Sequence, residues 1–293
     1  MTRKWWLSSW LQQLVFTGPA TAAFALIVLL PFFLGMYYAF TDWNGVADTA
    51  SFVGFDNFKA AVQDEGFRHS FLFTAKLTAA AVVLTNVLAF LLALLLTQPL
   101  RMRGALRTVF FLPNVIGGLL LGFIWQFIFI KGFAAIGSAT NWHLFNLPWL
   151  GDESTSFWAI VIVSMWSGAG YLMVIYIAAM INVPKELNEA ASIDGANALT
   201  RLRHITLPLV MPAVTIGLFL SLSWSFKAFD VILSLTKGGP FNSTESVALN
   251  IYAEAFQNNR YGLGTAKALI FFLIVAAITT VQVQLTKKRE VQA

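Results

Sequence analysis

The residues able to do chemistry fall into two groups. The first is a polar stretch over residues 184–204, holding Glu189-Ala190-Ala191 and Asp194-Gly195-Ala196. A carboxylate beside two small alanines suits recognition of a cationic partner at short range. The second group lies in or beside apolar runs: Asn86 and Gln126 inside two of them, and Trp224, Lys227 and Asp230 toward the end of another. Polar side chains at membrane depth are candidates for a solute path. Asn, Gln and Trp suit an uncharged polyol, through hydrogen bonds and ring stacking. Each also has a structural reading. Asn86 can join two helices, Trp224 can belong to an interfacial belt, and Lys227 and Asp230 can pair along one helix face.

Catalytic constellations are not apparent. The dipeptide Gly-Lys never occurs, so the chain has no G-x-x-x-x-G-K-[ST] loop to hold ATP. Three scattered histidines (His69, His143, His204) and no cysteine point to no metal site and no thiol chemistry. The chain is therefore read as a non-enzyme without a cofactor of its own.

The elements that must position these residues follow from composition. Of 293 residues, 58% are hydrophobic and 11% charged, and the mean hydropathy is +0.71. Soluble domains carry roughly 25% charge, so lipid must be the solvent over most of the surface. Uncharged apolar runs cover 14–40, 77–97, 108–130, 154–183, 205–226 and 268–286. Each is long enough to cross the hydrocarbon core as a helix. The fold expected is an all-α membrane protein of six spans, one transmembrane domain over 1–293. Pro19, Pro31, Pro113, Pro208 and Pro212 fall in these runs and predict kinks or breaks.

Charge gives the orientation. Arg3, Lys4, Arg101, Arg103, Arg107, Lys185, Arg201, Arg203, Lys287, Lys288 and Arg289 all fall on one set of connections. These eleven basic residues face four acidic ones (Glu186, Glu189, Asp194, Glu290), a net of +7. The rest of the chain nets −2. That bias puts the first set, with both termini, in the cytoplasm. The basic excess is a topology signal and implies no nucleic acid. Arg3, Lys4 and Ala20-Thr21-Ala22 mimic a signal peptide, but the apolar run continues to Phe40, so an uncleaved first span is expected. Trp5, Trp6, Trp10 and Trp43 flank that span as an interfacial belt would.

The inner connection at 184–204 reads as helix, glycine turn, helix. Pro184 suits a helix start, with Glu186 and Glu189 favoured by the helix dipole. Asp194-Gly195 supplies the stop, and 196–203 a second short helix. On the outer side, Lys237-Gly238-Gly239-Pro240 is a turn, and residues 245–257 suggest a short surface helix.

Taken with Ile205-Thr206-Leu207-Pro208 and Pro212, the Glu189–Ala196 stretch resembles the "EAA" loop of permease subunits in binding-protein-dependent ABC importers. The family pattern is EAA, two residues, DGA, about eight residues, then I-x-LP. Arg103-Gly104 with Phe110-Phe111-Leu112-Pro113 is similar to the family's approach to its third span. Phe229-Asp230, Leu235-Thr236, Gly238-Gly239-Pro240, Thr244 and Tyr261-Gly262 are similar to its carbohydrate branch, the maltose and glycerol-phosphate type permeases. Where the family often carries aromatics after DGA, this chain has Leu199 and Leu202, which stay apolar.

The resemblance implies a cytoplasmic coupling loop between spans four and five, built from Glu189, Ala190, Ala191, Asp194, Gly195, Ala196, Leu199 and Leu202. That loop would dock on a partner ATPase. It also implies two ATPase subunits carrying ATP and Mg, a second and different permease, and an extracytoplasmic binding protein. That protein would deliver a sugar or sugar-like solute to loops around 51–68 and 237–261. The location implied is the inner membrane. A rival reading, a secondary transporter or channel, predicts ionisable residues deep in the spans, and most of these runs have none. A membrane enzyme would need convergent acid, base or metal groups, and a passive scaffold would leave the ordered loop without purpose.

Overall fold

The computed structural model describes residues 2–288, with side chains over 10–288. The side chains of Arg3, Lys4, Trp5 and Trp6, and all of Arg289 and Glu290, lie outside the described residues. Six helices are long and apolar enough to span a bilayer: Trp10–Tyr38, Glu65–Leu96, Gly118–Thr140, Glu153–Ile181, Ala198–Phe226 and Tyr261–Lys287. Among the described residues the extended pairing is a single antiparallel bridge, Thr41 to Phe52.

Several helices begin or end away from the apolar runs, for physical reasons. The second span starts at Glu65 rather than at 77, because the helix continues through Glu65, Arg68, His69 and Lys76, residues that end an apolar run without ending a helix. The third starts at Gly118 rather than at 108. Residues 103–115 form their own helix, and extended backbone at Ile116 and Gly117 separates the two. The second limb of the 184–204 connection is not a separate helix. Ala198–Arg201 passes through a π-helical segment, Leu202–Thr206, straight into Leu207–Phe226. Another π-helical segment, Ala25–Leu29, lies just ahead of Pro31. A proline clashes with the carbonyl four residues back and offers it no donor. A widened turn placed there accommodates both defects.

Local chemistry fixes several ends. The Asp152 carboxylate accepts from the Ser154 and Thr155 backbone N–H groups and caps the fourth span. The Arg107 guanidinium donates to the Leu96 carbonyl at 2.8 Å, at the end of the second span.

The chain forms two compact units. One comprises residues up to 64 together with 251–270. The other comprises 65–250 and the rest of the sixth helix. In the second unit, spans two, four and five pack closely. One buried cluster gathers Leu77, Leu121, Ile160 and Ile232; the other gathers Ala89, Leu172, Met173, Tyr176 and Val210. Lipid tails are as apolar as leucine, so close van der Waals contact must drive this association. Small residues provide it. A Cβ at Gly170 would stand 1.9 Å from the Phe110 carbonyl oxygen. The first span, by contrast, buries none of its apolar side chains within the chain.

Candidate functional site

The connection at 184–204 is a helix with a defined corner. Pro184 stands one residue ahead of the Lys185–Ile193 helix, with Glu186 in its first turn. At the far end the Ala196 N–H donates to the Ala191 carbonyl (2.8 Å) and the Gly195 N–H to the Ser192 carbonyl (3.2 Å). This is a Schellman closure, which needs a left-handed residue in the corner. Gly195 is that residue, at φ +81°. Nothing lies within 4 Å of where its Cβ would stand, so glycine is required by the backbone and not by crowding. The Asn197 side chain then caps the next helix by accepting from the Thr200 N–H at 2.8 Å.

Glu189, Ala190, Asp194 and Leu199 are exposed, while Ala191, Ala196 and Leu202 are half-buried. Ile193 is 87% and Leu199 71% exposed. Two large aliphatic side chains are thus displayed on either side of the Gly195 corner, Leu199 in the first turn of the fifth span, and the carboxylates of Glu189 and Asp194 are exposed as well.

The five polar candidates in the spans separate into two kinds. Asn86 is a joint. Its Nδ2 donates to the Val82 carbonyl (2.7 Å) and to Ser221 Oγ (2.8 Å), and its Oδ1 accepts from the Tyr176 hydroxyl (2.5 Å). Spans two, four and five meet in that network. Gly217 makes room for it, since a Cβ there would fall 2.4 Å from the Tyr176 oxygen and 2.9 Å from Asn86 Oδ1. Gln126 is also a joint, donating to the Leu235 carbonyl at 3.1 Å.

Trp224, Lys227 and Asp230 come together in the wall of a cavity of about 380 Å³. Lys227 ends the fifth span and Asp230 begins a new helix, Asp230–Leu235. They are therefore not neighbours on one helix face, and no ion pair joins them among the described residues. The tryptophan ring is set edge-on against Tyr171, with centroids 5.3 Å apart. Asn114, Ser164, Ser167, Ser221 and Ser225 line the same space, over a floor that includes Leu77 and Ile160. The chamber thus offers hydroxyl and amide partners, one aromatic wall, one cation and one carboxylate. That chemistry suits a polyhydroxylated molecule.

Two features escaped the sequence. The serines are too common in membrane helices to stand out. Lys267 stands one residue outside the sixth apolar run, yet it is buried in that helix. It pairs with Asp64 and Glu254, each at 2.7 Å. Asp64 lies 203 residues away and Glu254 lies 13 residues back, before the turn that opens the sixth span, so the hydropathy of the run announces neither.

Comparison with known proteins identifies what the chain as a whole is similar to. The family described as "Binding-protein-dependent transport system inner membrane component" matches residues 85–291. A probable starch degradation products transport system permease protein, AmyD, of Thermoanaerobacterium thermosulfurigenes is 47% identical, over 95% of this chain and 94% of its own length. A multiple sugar-binding transport system permease protein, MsmF, of Streptococcus mutans is 34% identical, over 89% of this chain and 90% of its own. A crystal structure of a bacterial ABC transporter that imports the acidic polysaccharide alginate holds a chain of the same fold. It superposes with a TM-score of 0.81 at 22% identity, covering 98% of this chain and 96% of that one.

Proposed function

Since the chain belongs to the family of binding-protein-dependent transport system inner membrane components, we propose that it is the membrane-spanning subunit of an ATP-driven sugar importer. The chain is a multi-pass protein of the inner membrane. Its relatives are named for starch degradation products and for multiple sugars, and the chamber around Trp224 carries matching chemistry. Soluble oligosaccharides are the substrate class. The outer path has no arginine cluster of the kind a phosphate ester would call for.

The partners follow from the family. Two ATPase subunits bind below and hold ATP and Mg. A second, similar permease closes the other side of the path. An extracytoplasmic binding protein delivers solute onto the loops around 51–68 and 237–261, with both termini of this chain in the cytoplasm. Glu189, Ala190, Ala191, Asp194, Gly195, Ala196, Leu199 and Leu202 form the surface that docks on an ATPase, with Ile193 beside them. The chain performs no chemistry.

One observation supports the coupling role most strongly. The second limb of the loop is the first turn of the fifth span, Ala198–Phe226. That helix is roughly 43 Å long at 1.5 Å per residue. It carries Leu199 at one end and Trp224 at the other. A push on the docked loop is therefore carried to the cavity wall along one continuous helix, a means of switching between inward- and outward-facing states.

The test is co-purification with the ATPase subunit from detergent. The wild type is expected to retain the ATPase, and Glu189→Lys and Gly195→Trp to lose it. Unchanged retention in both variants would refute the docking role.

A further inference from the structure

Lys267 is fully buried in the head of the sixth span, and the transport reading has no use for it. It faces two carboxylates, Asp64 Oδ2 and Glu254 Oε2, each 2.7 Å from its Nζ. The other Glu254 oxygen takes Arg260 Nη2 at 2.6 Å and Asn258 Nδ2 at 3.4 Å. Two cations and two carboxylates form a neutral set. All of them lie in the compact unit made of residues up to 64 and 251–270.

Three segments meet at this lysine. Asp64 follows the Asp56–Gln63 helix. Glu254 lies in the π-helical segment Ala253–Gln257, and is 5% exposed. Lys267 lies one turn beyond Gly264, whose missing side chain lets the sixth span pack directly on Ala255; a Cβ there would stand 2.8 Å from that of Ala255. The close approach brings the ammonium under Glu254. Apolar packing would hold these segments at least as well, because desolvation consumes most of the gain from a buried pair. What the ion pairs add is direction: three segments fixed at one register.

We propose that Lys267 is a positioning residue for solute delivery, its paired carboxylates clamping the Asp64 and Glu254 segments to the head of the sixth span. This rests on the reading that these segments face outward and receive the delivering protein. The clamp holds the receiving surface in one orientation relative to that helix.

The complete complex, reconstituted in nanodiscs with its ATPase subunits and partner permease, is titrated with its solute-binding protein saturated with maltotriose. ATP hydrolysis gives the basal rate and the half-saturating concentration of the binding protein. Lys267→Met is expected to raise half-saturation about tenfold or more, with the basal rate unchanged. Asp64→Asn keeps the Glu254 pair and is expected to raise it about threefold. Lys267→Arg is expected to restore most of the response. Unchanged half-saturation in both variants overturns the proposal, as does a parallel fall of basal and stimulated rates, which a merely structural role produces. If Lys267→Met does not assemble, Asp64→Asn decides alone. A wild-type complex that the loaded binding protein does not stimulate sinks the delivery reading itself, and this role with it.

Discussion

Replacing Gly195 tests the 184–204 loop at its most constrained point. The residue sits at φ +81°, where an L-amino acid pays about 1–2 kcal/mol. Space adds nothing to that cost, because no atom lies within 4 Å of the Cβ position. Gly195→Ala and Gly195→Trp should therefore lose the same amount, although their side chains differ greatly in size. If the Schellman corner must be intact for docking, 1–2 kcal/mol becomes roughly a 5- to 30-fold loss of ATPase-subunit affinity. Gly195→Asn should lose less, since asparagine tolerates the left-handed region. The assay is titration of labelled ATPase subunit onto the purified permease pair in detergent. A tryptophan variant far weaker than the alanine variant would show that the corner is sterically enclosed on docking. An alanine variant equal to wild type would show that the corner does not matter.

Three further outcomes are expected. Tyr176→Phe removes the hydroxyl that Asn86 accepts from and should cost about 0.6 kcal/mol, at most about 1.7, in SDS-titrated unfolding. Gly217→Ala forces a methyl against that hydroxyl and the Asn86 amide oxygen. It should cost about 1–3 kcal/mol in the same titration, and less in the Tyr176→Phe background than alone. Asp230→Asn leaves no ion pair broken among the described residues, so assembly should be unchanged. The apparent KM for sugar uptake should rise about tenfold, the weight of one charge-assisted hydrogen bond.

The six spans were legible because a run of about 20 apolar residues has few fates other than a membrane helix. Their edges were less so. Hydropathy over 108–130 is continuous, and it hides the break at Ile116 and Gly117, which is a matter of backbone angles. The sixth run was cut at Lys267 because a charge ends an apolar window. Its neutralising partners, Asp64 and Glu254, come from other parts of the chain. The motif at Glu189–Ala196 announced a helix and a corner, and Gly195 sits at that corner as its type demands. The polar residues in the spans could not be sorted in advance. Asn86 is a joint because Tyr176 and Ser221, 90 and 135 residues away, complete its hydrogen bonds. Trp224 lines a cavity because the chain turns at Lys227 and returns at Asp230.

Uptake of radiolabelled maltotriose into proteoliposomes tests the central claim most directly. The vesicles hold this chain with its partner permease and ATPase subunits, and the binding protein is supplied on the outer face. The account predicts accumulation that needs both internal ATP and the binding protein, and that Gly195→Trp lowers about 5- to 30-fold. Accumulation driven by a sodium or proton gradient without ATP, and untouched by Gly195→Trp, would contradict it.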